Sequence, residues 1–353
     1  MQSYILTEEI KGDFGQFGHI TLNRPDALNA LNLDMVTALS ETLNRWESDP
    51  RILAVIIQSS SEKAFCAGGD IRSLYEAGLK KDPHVFDFFK QEYQLDCRIA
   101  RYSKPYICFL NGITMGGGVG ISLHGAHRVA GENFRFAMPE TTIGFFPDVG
   151  GGHLLNQCPG SFGLYFGLTG ARASQQEAYA LNLVDYCING VDQTRIIEQL
   201  HQLDLRDFQL AHSKVEELLH KASNTSASDN ILEPLHWVNE VFSANSVESI
   251  MDKLEKAASE KHNPLIEKTL KDLKTKSPMS LKVTFEQLHR TQFLSLEDCF
   301  DMDYILVHHF LQDKDFYEGV RALIIDKDNR PQWQPAALTD ISDESVSRYF
   351  ESS

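Results

Sequence analysis

The sequence predicts a mixed α/β (α+β) fold, with strand–helix units through about residue 190 and an extended helical region after them. Three observations lead there. Short continuous apolar runs rich in β-forming residues, LAVII at 53–57 and YICFL at 106–110, suit strands covered on both faces. Other stretches space their apolar residues at three- and four-residue steps, the period of a helix with one buried face. Past about residue 190 the strand-like runs thin out and that helical period dominates.

In chain order, the first helix spans 33–46, where Val36, Leu39, Leu43 and Trp46 form the apolar stripe and Asn32 is the N-cap. The strands at 53–57 and 106–110 follow. Ser174-Gln-Gln-Glu177 is a capping-box pattern ahead of Ala178, Tyr179 and Leu181, so a helix starts there. Residues 183–188 read as a further strand. Residues 222–230 (ASNTSASDN) carry no large apolar side chain and read as a flexible connection. The chain is accordingly divided into a core at 1–222 and a helical C-terminal region at 223–353 that completes the fold. Within that region Ser277 precedes Pro278 at a first helical position, and Ser295-Leu-Glu-Asp298 caps another helix. The end of the chain returns to mixed structure through 320–325 (VRALII), and no internal repeat is present.

Composition narrows the function classes. A net charge of −16 argues against a broad nucleic-acid or acidic-membrane surface, because phosphate binding needs clustered Lys and Arg. A small anionic ligand held by backbone dipoles is still compatible. Cys66, Cys97, Cys108, Cys158, Cys187 and Cys299 form no CxxC and mostly sit in apolar runs, so buried free thiols in a reducing compartment are expected. The opening MQSYILTEEI lacks the marks of a signal or transit peptide, and no apolar run is long enough to span a bilayer. A cytoplasmic protein without membrane or nucleic-acid partners is the expectation. No metal is expected either: the thirteen histidines include no HExxH, and the adjacent His308 and His309 would diverge on a helix.

Four segments can carry chemistry. KAFCAGGDIR, at 63–72, is a glycine turn before a helix-like start at Asp70. It fits a plain strand–helix turn, or exposed N–H groups that hold an anion or a developing oxyanion. NGITMGGGVG, at 111–120, follows the apolar strand; its glycines serve close backbone packing or close approach to a ligand. It is neither a phosphate loop, since no Gly-Lys-Ser/Thr follows, nor a GxGxxG dinucleotide fingerprint. FAMPETTIGFFPDVGGG, at 136–152, sets Glu140 and Asp148 in apolar surroundings. There a carboxyl has a raised pKa and can act as base or nucleophile, although Asp148 as a helix cap and Glu140 as a solvated loop residue fit the sequence too. FFKQEYQLD, at 88–96, places Glu92 among aromatics, where a solvated helix face is the simpler reading. A serine hydrolase is disfavoured because the residues around Ser122 are not GxSxG.

In this order and spacing, KAFCAGGDIR, NGITMGGGVG and AMPETTIGFFPDVGGG resemble the crotonase (enoyl-CoA hydratase/isomerase) superfamily. LNRPDALNAL at 22–31 and LTGARASQQEAYALNLVD at 168–185 match it as well. The terminal DFYEGVRALIIDKDNRPQWQPAAL, at 315–338, extends the likeness to one branch, the 3-hydroxyisobutyryl-CoA hydrolases. That resemblance implies a crotonase-like spiral of ββα units. It also implies hydrolysis of a short 3-hydroxyacyl-CoA, chiefly 3-hydroxyisobutyryl-CoA in valine degradation, with coenzyme A entering as part of the substrate and no separate cofactor. Carried over by position, it gives oxyanion-hole N–H groups at Gly69 and Gly117 and catalytic acids at Glu140 and Asp148. A substrate-binding glutamate falls at Glu92, and backbone contacts to the adenine of coenzyme A fall at Ala67, Asp70 and Ile71. Hydratases of the superfamily carry a second catalytic glutamate where this chain has Gly120, which favours hydrolysis over hydration. Relatives are often trimers or dimers of trimers. A homo-oligomer is therefore open, with the C-terminal region as an alternative cover for that surface.

Overall fold

A computed structural model describes residues 3–224, 231–261 and 263–352. Its strands are β1 (Ile5–Lys11), β2 (Gln16–Leu22), β3 (Ile52–Ser59), β4 (Ala64–Cys66), β5 (Tyr106–Leu110), β6 (Ile113–Met115), β7 (His127–Ala130), β8 (Arg135–Ala137), β9 (Ala173–Ser174) and β10 (Tyr186–Cys187). They form a six-stranded sheet in the order β1-β2-β3-β5-β7-β10 and a four-stranded sheet in the order β4-β6-β8-β9. The chain alternates between the two. β3, β5 and β7 lie in the larger sheet, and each is followed by a short partner (β4, β6, β8) in the smaller one. A helix or helical turn comes next: Ile71–Leu79, Gly117–Leu123 or Glu140–Ile143. That is the ββα spiral. The pairings β2–β3, β3–β5, β5–β7 and β7–β10 are parallel, and β3 and β5 are buried along nearly their whole length, which is why both read as unbroken apolar runs.

Two units are distinguished by their internal contacts. Unit 1 comprises Met1–Gly69, Gln91–Phe136 and Ala173–Ile231, and unit 2 comprises Asp70–Lys90, Ala137–Arg172 and Leu232–Ser353. Unit 1 holds the sheets. Helices Gln193–His201 and Phe208–Ala222 cover the larger one, burying Ile196, Leu200, Val215 and Leu219 against Phe17, Ile56, Ile107 and Val129. Unit 2 is helical around an aromatic core, in which the Phe146 and Phe310 rings stack 5.2 Å apart and Phe145 meets Phe316 at 5.5 Å.

Most local signals hold. The first helix runs Leu33–Ser48, with the Asn32 side chain accepting from Met35 N–H. Ser174 and Glu177 form the reciprocal capping box, and Ser277 and Ser295 cap the helices Pro278–Thr291 and Leu296–Gln312. The strand read at 183–188 shrinks to Tyr186–Cys187, because Leu183 N–H still bonds back to Ala178 O and Asn182 turns the chain at φ 62°. The segment 320–325 is helical: Asp315–Val320 is an α-helix that passes into a π-turn at Arg321–Ile325. The connection read at 222–230 lies outside the described residues from 225 to 230. Among the described residues all six cysteines are free thiols, and five are buried.

Candidate active site

Unit 1 gathers the two glycine turns and two acids. β4 ends at Cys66, and Ala67 and Gly68 are tied to the 28–31 loop by Ala67 N–H to Leu28 O and Leu31 N–H to Gly68 O, at 3.0 and 2.8 Å. Gly68 (φ 111°) faces the second turn: a Cβ there would stand 3.8 Å from the Gly117 nitrogen. Gly116 initiates the helix Gly117–Leu123 at φ 47°, ψ −125°, a conformation that in practice admits only glycine. Among the described residues neither Gly69 nor Gly117 gives its N–H to a backbone carbonyl in these turns.

Against the glycine face of that short helix lies the helix Val85–Ala100. Glu92 packs on Gly117 and Asp96 on Gly120, and both acids are buried. Glu92 is therefore not on a solvated face. Burial, with Glu92 and Asp96 adding to it, pushes the Cys66 thiol up to about 12, which removes it as a nucleophile. Ser122 Oγ donates to Gly118 O at 2.6 Å and is likewise committed.

Unit 2 carries the other acids. Glu140 opens the helical turn Glu140–Ile143, and its Oε2 is buried with no hydrogen-bond partner among the described residues. Burial above all, with the charge of Asp148 adding to it, holds its carboxyl well above the usual range. Asp148 is buried too; the helix after it, Gly151–Leu155, takes Gly150 as its N-cap without any side-chain cap. Ile143, Phe145, Phe146 and Val149 are all buried around the two acids in sequence. The Glu140 turn is gripped by the later chain. Ser277 N–H donates to Thr141 O (3.3 Å), Lys276 Nζ to Thr142 Oγ1 (2.6 Å), and Ser277 Oγ to Asp315 Oδ2 (2.6 Å). The Asp315 carbonyl fills the space beside Gly144 (φ 69°) and Ile143 fills that beside Gly319, so the C-terminal segment is a wall of this loop.

Asp96, Lys276 and Asp303 were not found from sequence. Asp303 had a readable signal. Cys299, Asp303, Leu306 and Phe310 follow helical spacing, which puts this acid on the buried stripe of Leu296–Gln312. Asp96 is one turn from Glu92, on a helix whose Phe88, Phe89, Leu95 and Ile99 are buried. Lys276 lies between two helices, where no periodicity marks it. Among the described residues no cluster of three or more His, Cys, Asp or Glu could hold a metal ion, and no helix is long and apolar enough to cross a membrane.

A sequence profile described as enoyl-CoA hydratase/isomerase matches residues 17–350. Among curated relatives, the 3-hydroxyisobutyryl-CoA hydrolase, mitochondrial, of Xenopus tropicalis is 43% identical over 96% of this chain and 87% of its own length. The Homo sapiens protein of the same name is 39% identical over the same shares. Two solved structures superpose nearly end to end. A carnitinyl-CoA dehydratase from Mycobacterium thermoresistibile has TM-score 0.88 and 32% identity, covering 99% of this chain and 97% of its own. An enoyl-CoA hydratase from Rhodobacter sphaeroides has TM-score 0.87 and 33% identity, covering 99% and 98%. The relatives' names correct one expectation: they are mitochondrial, which overturns the cytoplasmic reading. Free thiols point to a reducing environment and do not by themselves mark the cytoplasm.

Proposed function

The chain belongs to the enoyl-CoA hydratase/isomerase family, and from that premise we propose that it hydrolyses 3-hydroxyisobutyryl-CoA to 3-hydroxyisobutyrate and coenzyme A. The observation that carries the chemistry is Glu140, a buried carboxyl with one oxygen unpartnered among the described residues and a pKa held above the usual range. Once ionised, such a poorly hydrated carboxylate is a stronger base and nucleophile than one in water. The hydrolases at about 40% identity, matched over nearly the whole chain, support the substrate.

In this reading Gly69 and Gly117 N–H groups receive the charge that develops on the thioester oxygen. One such donor is worth on the order of 3 kcal/mol of barrier. Glu140 attacks the thioester carbon, the C–S bond breaks with its electron pair on the coenzyme A sulfur, and water opens the resulting anhydride. Asp148 accepts the hydrogen bond of the acyl 3-hydroxyl. Glu92 takes part in substrate binding beside Gly117. Backbone groups of Ala67, Asp70 and Ile71 contact the adenine. Coenzyme A enters with the substrate, and no further cofactor has a role.

Hydration of a 2-enoyl-CoA is the alternative on this fold, and the names of the two solved structures favour it. Against it stand their lower identity and the lack of an acid at Gly120. A thiol-release assay over short acyl-CoA esters separates the two. Hydrolysis predicts release from 3-hydroxyisobutyryl-CoA and more weakly from 3-hydroxypropionyl-CoA. Efficient hydration of crotonyl-CoA with no thioester cleaved would reverse the assignment.

A further inference from the structure

Unit 2 also buries the carboxyl of Asp303, in the middle of the helix Leu296–Gln312. Its oxygens are spent on the turn that carries Asp148. Gly150 N–H donates to Asp303 Oδ2 at 2.9 Å, and Gln287 Nε2 donates to Asp303 Oδ1 at 2.8 Å. The same Gln287 amide donates to Pro147 O at 2.8 Å. The backbone is thus pinned on both sides of the Asp148–Val149 pair, from two different helices. The pinning has something to hold: Val149 has φ 53°, a conformation costly for a β-branched residue, and it lasts only where the surroundings over-determine it.

Packing alone does not call for an acid at 303. Its site is fully enclosed, and among the described residues it forms no ion pair, so burial drives its pKa well above the usual range, with Asp148 adding to the rise. Both of its partners, Gly150 N–H and Gln287 Nε2, are donors that ask for an acceptor. An amide would present NH2 to one of the two N–H donors.

We propose that Asp303, working through Gln287 and Gly150, is the positioning residue that aims Asp148 at the substrate's 3-hydroxyl. This rests on the role given to Asp148 under the proposed function. It concerns discrimination between acyl groups rather than attack on the thioester.

The test compares kcat/KM for 3-hydroxyisobutyryl-CoA and for isobutyryl-CoA, which differs by that hydroxyl alone. The proteins are wild type, Asp148→Asn, Asp303→Asn, Gln287→Met and the Asp148→Asn/Asp303→Asn double variant, each with its thermal midpoint. Loss of an aligned hydrogen bond to a charged group corresponds to roughly a tenfold or larger change. The expected result is a fall of about tenfold in the hydroxyl preference for Asp303→Asn and Gln287→Met, and no further fall when Asp303→Asn is added to Asp148→Asn. Should Asp303→Asn fail to fold, Gln287→Met leaves all the carboxyls in place and carries the same prediction. Equal losses on both substrates, with the preference unchanged while Asp148→Asn still lowers it, overturn the proposal. An unchanged preference in Asp148→Asn itself overturns the role of Asp148, and this inference with it.

Discussion

Asp96 fills with its carboxyl group the space that any side chain at Gly120 would enter: a Cβ there would lie 2.7 Å from Asp96 Cγ, with a carboxyl oxygen closer still. The helix Gly117–Leu123 therefore bears no acid of its own, and the acids on that side of unit 1 come from Val85–Ala100. An added methyl must displace a fully buried aspartate. Gly120→Ala is expected to cost about 1–3 kcal/mol of stability, with most of the loss cancelled when Asp96→Ala is combined with it. Urea titration of the four proteins reads the coupling. A coupling under about 0.5 kcal/mol would mean that the two positions do not compete.

Glu140→Gln keeps the shape and deletes the charge. Turnover should fall about 10²- to 10⁴-fold, while inhibition by product coenzyme A stays near wild type. Stability should move the other way. Glu140 has a folded-state pKa above its unfolded one, so its favourable contribution is present at low pH and is lost as pH rises through the folded value. The variant escapes that loss. Its melting temperature at neutral pH should exceed that of wild type, and the difference should vanish below the ordinary glutamate range.

Asp148→Asn removes the negative charge that helps hold the Glu140 pKa up. Glu140 then ionises at lower pH, so the acid limb of the kcat/KM profile should shift towards acid, even though the rate is reduced. An acid limb that stays in place would separate Asp148 from the titration of Glu140.

Much of this fold was legible because its signals are local. Asn32, Ser174, Ser277 and Ser295 announce helix starts through their own hydroxyl or amide chemistry, and the apolar runs of β3 and β5 need only to be covered. Glu140 and Asp148 stood out by the apolar residues next to them in the chain. The strand at 183–188 was overread because apolar composition does not reveal that Leu183 is still closing a helix. Asp96 and Asp303 escaped because their roles come from partners distant in sequence, Gly120 and Gly150, and only the folded chain supplies those.

Two histidine pairs fasten the covering helices of unit 1 to the larger sheet. His19 on β2 meets His201 at 2.9 Å, and His127 on β7 meets His212 at 3.3 Å. Burial, with its partner adding to the effect, pushes His19 down to about 4, and His127 likewise. Their folded pKa lies below the unfolded one, so this stability is present above about pH 6.5 and is lost as pH falls towards 4. For the wholly buried His127 the loss amounts to as much as about 3 kcal/mol. Urea midpoints should drop over that window in wild type and less steeply in His127→Gln. Parallel slopes would assign the acid sensitivity elsewhere.

The most direct test of the central claim, attack by Glu140 on the thioester, is a single turnover of 3-hydroxyisobutyryl-CoA in heavy-oxygen water, followed by mass analysis of the Glu140 peptide and of the released acid. An anhydride opened at the glutamyl carbonyl leaves label in the peptide, and hydroxylamine added during turnover converts the same intermediate into a hydroxamate. The account predicts label at Glu140 and a trapped adduct at that residue. Label confined to the released 3-hydroxyisobutyrate, together with no hydroxamate, would contradict it and leave Glu140 as the base that activates water.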